Sequence, residues 1–216
     1  MNKTKKMTTM ALLCALSYLV MFISRFLPPL FAAFPFLKYD PKDAIIVIGG
    51  FLYGPMAAFV ISLTVSVIEM VSVSGTHIIG CIMNIASTCA FACTASVIYT
   101  KFRSLKGGSV GLLMGTVCGV SSMMILNYFL TPLYTGMPRE AVAQLLVPAI
   151  LPFNVIKCVL NSALVLLIYK PIVRIFRSSG IAQSKDKNTH NTNLSVIITA
   201  IVLIVLCVFA VRIINR

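Results

Sequence analysis

The chain has 216 residues, of which 59% are hydrophobic, and its mean hydropathy is +0.98. Soluble domains contain roughly 45–50% apolar residues, so the composition excludes an ordinary soluble fold. The formal net charge of +13 resembles that of a nucleic-acid-binding protein, but the basic residues lie at the ends of apolar runs, where they set membrane topology. The composition therefore predicts an integral membrane protein without a separate soluble domain.

The apolar segments predict helices rather than strands. Residues 45–54 and 194–211 are continuously apolar, whereas membrane β-barrels alternate polar and apolar residues over segments of about 10 residues. In lipid, a helix closes its own backbone hydrogen bonds. We therefore expect an all-α integral membrane protein, a compact bundle of six transmembrane helices plus a seventh, C-terminal helix.

Apolar runs place these helices near residues 7–27, 43–53, 55–73, 78–100, 109–130, 148–170 and 194–212. The first run follows a basic head, but it is longer than a signal-peptide core and no small-residue cleavage site follows, so we expect it to be retained. The second run is too short to cross alone unless it extends towards Pro41 or its neighbours shelter it. Residues 43–73 are together too long for one span, and Gly54-Pro55 predicts the break.

Basic residues at the span ends predict the orientation. With the N-terminus inside, seven crossings collect 11 of the 18 lysines and arginines on the cytoplasmic side. A single helix over residues 43–73 would instead put 101-KFRSLK-106 outside. We therefore expect a multi-pass membrane protein with a cytoplasmic N-terminus and with loops 28–42, 74–77 and 131–147 outside.

The chain divides into a core, a linker and one further helix. Residues 1–177 form the predicted six-helix core, and residues 178–193 are polar, as in a flexible cytoplasmic linker. Residues 194–216 hold the additional apolar helix, which we expect to be peripheral and to have little role in any site.

Glycines recur every fourth residue in the fifth helix, at Gly107, Gly111, Gly115 and Gly119. Such a stripe lets another backbone approach closely. We interpret it as an internal packing face rather than a partner surface.

The sequence lacks the residues that several kinds of enzyme or metal site require. It contains no GxxxxGK[ST] loop, and Glu69 is the only carboxylate deep in a span, too few for a membrane hydrolase or a proton relay. The seven cysteines lie inside apolar runs without a CxxC pair, so no metal site is expected. We expect neither an enzyme nor a resident cofactor, and any uptake must draw its energy from another subunit.

Polar side chains near one end of the bundle predict a small-molecule site. Asn154, Lys157 and Asn161 are spaced i, i+3 and i+7 and share one helix face. Amide and ionisable groups are costly in a membrane and usually face the bundle interior. The other spans contribute Asn127, Asn84 and Glu69, and the loop after the first helix contributes Lys38, Tyr39, Asp40 and Lys42.

Each of these residues also has a simpler explanation. An amide can make an interhelical hydrogen bond, Lys157 can snorkel to the interface, and Glu69 can accept bonds from a neighbouring hydroxyl of Ser66 or Ser72. Lys42 and Asp43 are expected to mark the water-facing start of the second helix. Taken together, a group of amides and a lysine beneath a charged, aromatic loop favours a ligand pocket.

Four segments resemble a known family. They are 38-KYDPKD-43, 48-IGGFLYGPMAAFVISLTVSVIEM-70, 127-NYFLTPLYTGMP-138 and 152-PFNVIKCVLN-161. They are similar to segments of the riboflavin-specific substrate-binding subunits (S components, RibU type) of the energy-coupling factor (ECF) transporters. The resemblance runs from about residue 8 to 175, and the seventh apolar segment departs from the six-helix family core.

The resemblance implies a riboflavin site at the outer face, in which the vitamin is the transported substrate rather than a cofactor. It implies that the loop residues Lys38, Tyr39, Asp40 and Pro41 line and close the pocket, and that the isoalloxazine ring is held by Asn127, Asn154 and Lys157. Fixed amide and ammonium donors suit the carbonyls and ring nitrogens of a flavin. The polar cluster adds Asn84 and Glu69 as further candidates.

The resemblance also implies partners. In the family, an AxxxA element of the first helix packs against the transmembrane energising subunit, and Ala11 and Ala15 occupy that place here. The alternative for this pair is close packing within the chain itself. The implied complex contains two ATPase subunits, and in it this chain captures riboflavin outside and tips in the membrane to release it inside.

Two other functions stay open at this point. A substrate-binding subunit of the same architecture could serve another vitamin, such as thiamine, biotin or folate. A small membrane enzyme or a structural bundle subunit is the third hypothesis, although the sequence shows no catalytic pair.

Overall fold

The structure, a computed structural model, describes residues 3–31, 34, 37–178 and 194–215. Within them the α-helices are α1 Lys3–Ser24, α2 Lys42–Tyr53, α3 Pro55–Ser72, α4 His77–Phe102, α5 Leu105–Thr135, α6 Arg139–Leu145, α7 Leu151–Ser178 and α8 Leu194–Ile214. A π-helical turn, Leu146–Ile150, joins α6 to α7. These described residues contain no strand, and the all-α prediction is confirmed.

Six helical stretches in the described part of the chain are long and apolar enough to cross a membrane: α1, α3, α4, α5, the continuous α6 and α7, and α8. The 12-residue α2 is not among them, because it rises only about 18 Å against a hydrocarbon core of about 30 Å. Neighbouring helices shelter it and bury ten of its 12 residues. The expected bundle is confirmed, with α2 as its short central helix.

The break between α2 and α3 lies at the predicted dipeptide. Gly54 has φ of 92°, a conformation that favours glycine, and Pro55 is the first residue of α3. The chain reverses there, so α3 runs antiparallel to α2 and its end returns to the start of α2.

Alternating helix directions give the bundle two different ends. At the basic end, where α1 begins, Lys6 lies 6.0 Å from the ring centroid of Tyr53. Nearby, the Phe51 ring stacks on Tyr99, whose hydroxyl is 2.7 Å from that of Tyr169. At the opposite end, α1, α3 and α5 finish and α2, α4 and α7 begin, and we call this the site end.

The glycine stripe of α5 packs against α4, as predicted. A Cβ atom on Gly111 would lie 2.7 Å from the carbonyl oxygen of Ala95, and one on Gly115 would lie 2.6 Å from that of Phe91. Both distances are shorter than any ordinary carbon–oxygen contact, so the stripe permits an approach that side chains would block.

The C-terminal helix α8 packs on α7 at the edge of the bundle, with 11% of its span buried. Its peripheral position confirms that part of the prediction. Ser178 ends α7, and the rest of the predicted linker over 178–193 lies outside the described residues.

Candidate functional site

A cavity of about 300 Å³ lies at the site end, within the usual size range of small-molecule pockets. It lies between the end of α1, the segment before α2, the end of α3 with the turn that follows, and the starts of α4 and α7. Six residues predicted from the sequence line it: Lys38, Tyr39, Asp40, Glu69, Asn84 and Lys157. The other lining residues are Met21, Ser24, Arg25, Ser74, Gly75 and Thr76.

Lys42 lies at the centre of a buried charge network beside this cavity. Its side chain is 0% exposed, and its ammonium nitrogen lies 2.7 Å from Asp40 Oδ2 and 2.5 Å from Glu69 Oε2. The expectation that Lys42 and Asp43 face water is wrong, because both residues are buried. Carboxylates from the loop, α2 and α3 meet at this end, and a lysine among them offsets the cost of burying their charge.

Glu69 connects three helices and the turn after α1 at the site end. Its Oε1 atom accepts a hydrogen bond of 2.9 Å from Arg25, in the turn after α1, and its Oε2 atom accepts one of 3.2 Å from Asn84 of α4 as well as the contact from Lys42 of α2. The alternative in which a neighbouring hydroxyl donates to Glu69 is wrong, since Ser72 donates to the Ile68 carbonyl and the Ser66 hydroxyl has no partner in the described residues. Sequence reasoning missed Arg25, although a lone arginine inside the apolar run of residues 7–27 is a signal that can find it.

Lys157 of α7 points into the bundle rather than out to the interface. Its ammonium nitrogen lies 3.3 Å from Asp43 Oδ2, and the side chain is 11% exposed. Thr88 of α4 donates a 2.7 Å hydrogen bond to the other oxygen of Asp43. The snorkelling alternative is therefore wrong, and Lys157 both pairs with Asp43 and lines the cavity.

The charges of this network balance. Three cations, Arg25, Lys42 and Lys157, face three of the five acidic residues in the chain, Asp40, Asp43 and Glu69. Paired charges are the form in which ionisable groups are tolerated inside a membrane protein. In the part of the chain that the structure describes, no group of three or more His, Cys, Asp or Glu residues could hold a metal ion.

The loop before α2 is attached to α7 through Asn161. Tyr39 donates its hydroxyl hydrogen to Asn161 Oδ1 at 3.2 Å, and Asn161 Nδ2 donates to the Asp40 carbonyl oxygen at 3.1 Å. Burial raises the pKa of the Tyr39 phenol, and the Asp43 and Asp40 carboxylates add to the effect. Burial opposes ionisation of Asp40, but the ammonium groups of Lys42 and Lys157 hold the pKa of that carboxyl below its usual range.

Five predicted residues are not among those that line the cavity: Lys42 and Asn161, whose contacts are given above, and Asn127, Asn154 and Pro41. Asn127 and Asn154 are buried, and each donates to the carbonyl four residues earlier in the chain, that of Met123 and that of Ile150, both at 2.8 Å. These are local bonds rather than the interhelical bonds that the simpler explanation predicts. Pro41 is half-buried and directly precedes α2.

A second, apolar groove of about 500 Å³ runs along α1 and α3. Ala11 and Ala15 line it together with Cys14, Val60 and other apolar side chains, and both alanines are exposed. Close packing of this pair within the chain is therefore not what the structure shows.

Fold and site together define a multi-pass membrane protein with a small-molecule cavity at one end. The family model for the substrate-specific component of ECF transporters matches residues 5–169, and the chain belongs to this family. The resemblance seen in the sequence is confirmed. The chain is accordingly a transporter component rather than an enzyme, and its ligand is a transported substrate rather than a cofactor.

Individual relatives agree with the family assignment. The chain is 28% identical over 186 residues to the riboflavin transporter RibU of Staphylococcus aureus (strain TCH60), covering 82% of this chain and 95% of the relative. It is 30% identical over 193 residues to the riboflavin transporter FmnP of Bacillus subtilis (strain 168), covering 83% and 99%. A solved S component of a bacterial ECF transporter superposes with a TM-score of 0.69 at 27% identity, covering 82% of this chain and 99% of that one.

Proposed function

We propose that the protein binds riboflavin in the cavity at the site end and serves as the substrate-specific subunit for riboflavin uptake. The observation that carries the proposal is the cavity itself, which brings loop residues Lys38, Tyr39 and Asp40 together with Lys157 of α7. The two relatives described above are riboflavin transporters, which supports riboflavin over other vitamins.

The lining chemistry suits a molecule with a polar ring edge and a polyol chain. Lys157, Asn84 and Arg25 offer nitrogen donors for ring carbonyls and ring nitrogens. The hydroxyls of Ser74 and Thr76 and the Glu69 carboxylate offer partners for a ribityl chain.

We include Asn127, Asn154 and Pro41 in the proposed site. Each amide donates to the carbonyl four residues earlier in the chain, so it can exchange that local bond for one to the ligand without breaking a contact between distant helices. In this proposal the two amides hold the ring, and Pro41 shapes the loop that closes over it.

The proposed orientation places the site end outside and the basic end, with the N-terminus, in the cytoplasm of a bacterial cell. The basic residues of the α4–α5 junction and the start of α1 lie at the same end, which supports it. In the proposed division of the chain, residues 1–177 form the substrate-binding core and residues 194–216 form one additional helix. Residues 178–193 are the linker between them.

In this proposal the groove holding Ala11 and Ala15 contacts the transmembrane energising subunit, and two ATPase subunits supply the energy. Exposed small residues at i and i+4 permit close approach of another helix in lipid, and the family consists of ECF transporter components.

The experiment is a spectrum and a titration. Protein purified from cells is expected to show a flavin absorption spectrum, and ligand-free protein is expected to quench riboflavin fluorescence until one molecule is bound per chain. Colourless protein that leaves the fluorescence unchanged would contradict the proposal. Displacement of bound riboflavin by thiamine, biotin or folate would favour a subunit for another vitamin.

A further inference from the structure

The helix α8 lies outside the residues that the family model matches, which end at residue 169. The proposed function gives it no role. It nevertheless packs along α7, the helix that carries Lys157 and Asn161, so one of its neighbours is a wall of the binding site.

Near its end, α8 contributes to an apolar cluster at the site end. Cys207 of α8 is buried there with Phe153 and Ile156 of α7 and with Phe31 and Leu37 of the segment between α1 and α2. We call these five residues the α8 cluster. Phe153 and Ile156 directly precede Asn154 and Lys157, so α8 supports the part of α7 that holds the proposed ligand contacts.

The end of α8 and the residue that follows it, Asn215, contact described residues of the segment that leads to the cavity. Ala210 and Val211 pack against the α8 cluster, and Asn215 Nδ2 donates a 2.9 Å hydrogen bond to the Leu30 carbonyl oxygen. On the other side, the Phe31 ring meets Phe153 edge-on at a centroid distance of 6.1 Å. Residues 30, 31 and 37 are therefore held between α7 and α8.

This segment continues directly into the cavity wall. Leu37 is 6% exposed, and the next three residues, Lys38, Tyr39 and Asp40, all line the cavity. A wall that is already ordered loses less conformational freedom when a ligand binds, and such preorganisation slows release more than it speeds binding. The contacts of α8 thus act on both the affinity and the release rate.

We propose that α8 is a positioning element of the binding site, which preorganises the cavity wall by holding Leu30, Phe31 and Leu37 against α7. The identity of the ligand, riboflavin, rests on the proposed function. The placement of α8 itself does not.

The test uses the full chain with the double substitution Val211→Ala and Asn215→Ala. Loss of one hydrogen bond and of partly buried methyl groups is expected to raise the riboflavin dissociation rate about tenfold, measured by the return of fluorescence on dilution. The matched control is Val208→Ala, the same change at a position of α8 that is 54% exposed, and it is expected to leave the rate unchanged. Equal rates in the double variant and the control would overturn the proposal.

A ligand-independent measurement separates this inference from the proposed function. Hydrogen–deuterium exchange of ligand-free protein is expected to accelerate in the peptide containing Leu30 and Leu37, while peptides from α4 and α5 stay unchanged. If the unmodified protein binds no riboflavin, the proposed function fails and this exchange alone decides on α8. Uniform acceleration along the chain, or none at Leu30 and Leu37, would overturn the positioning role. If the double variant does not fold, Asn215→Ala alone is measured in the same way.

Discussion

Lys42 shows how a single side chain organises the site end. Its buried ammonium group joins the loop carboxylate of Asp40 to Glu69 of α3, and Glu69 is contacted in addition by Arg25, in the turn after α1, and by Asn84 of α4. Removing one member of a buried ion pair leaves an uncompensated charge, which costs more than the pair itself contributes. Stability of this end therefore depends on complete pairing.

The substitution Lys42→Met is expected to lower the free energy of unfolding by about 3–5 kcal/mol, because it leaves Asp40 without its closest cation. Denaturant unfolding in detergent measures the change. The double variant Lys42→Met with Asp40→Asn is expected to recover part of the loss, since the unpaired carboxylate is then gone. A single variant as stable as the original protein would show that the pair is not structural.

The lowered pKa of Asp40 predicts an acid limit to stability. Because its pKa is lower in the folded than in the unfolded protein, the ionised carboxylate contributes stability that is complete above the unfolded value of about 4. That contribution is lost as the pH falls through the folded value. The midpoint temperature of thermal unfolding is therefore expected to decrease once the pH is below about 4. The Asp40→Asn variant is expected to show a smaller drop, and identical pH profiles would refute this assignment.

The substitution Lys157→Met is expected to weaken riboflavin binding about 10- to 100-fold, because it removes a charged donor from the cavity wall. Lys101→Met is the matched control, since it makes the same change at an exposed position at the opposite end of the bundle. Its effect is expected to be less than about threefold. Fluorescence titration gives both affinities, and equal values for the two variants would argue against a direct role for Lys157.

The sequence predicts which residues belong to the site better than it predicts which charged residues pair with one another. The spacing of Asn154, Lys157 and Asn161 places them on one helix face, because helical periodicity is local. The burial of Lys42 cannot be predicted in this way, because its partner Glu69 is 27 positions away and only tertiary packing brings the two together. Charge is visible in a sequence, whereas the partner that permits its burial is not.

For the helices, the sequence predicts that each one exists more reliably than where it begins and ends. The break at Gly54 was found because glycine and proline are local signals, and α2 begins within one residue of its predicted start. In contrast, α5 extends over Leu105–Thr135 where the apolar run predicts 109–130, and the short helix α6 lies in a predicted loop. An apolar run indicates the span within lipid, but a helix continues until its backbone is interrupted.

The close contact between α4 and α5 predicts a position-specific glycine effect. Gly111→Ala is expected to destabilise the protein by about 1–3 kcal/mol, because the new Cβ atom would meet the Ala95 carbonyl. At Gly108 the nearest atom to such a Cβ would be 3.6 Å away, an ordinary contact, so Gly108→Ala is expected to be neutral or slightly stabilising. Thermal unfolding compares the two, and similar losses would mean that the close approach is not the cause.

For the whole molecule, binding and transport are expected to separate at the groove on α1. Ala15→Phe is expected to reduce riboflavin uptake by cells about tenfold or more while leaving the affinity of the purified protein unchanged, because a large ring prevents close helix approach. Leu19→Phe, on the same helix at a position that is 52% exposed and outside the groove, is the control. Uptake that survives Ala15→Phe would remove this groove from the partner interface.

The short helix α2 has a consequence for how the protein enters the membrane. Twelve residues that begin with a lysine and an aspartate do not form a segment that the insertion machinery would partition into lipid by itself. The helix becomes stable there only once α1, α3, α4 and α7 surround it and its two charges find their partners. We therefore expect α2 to take its place only after helices later in the chain have been inserted.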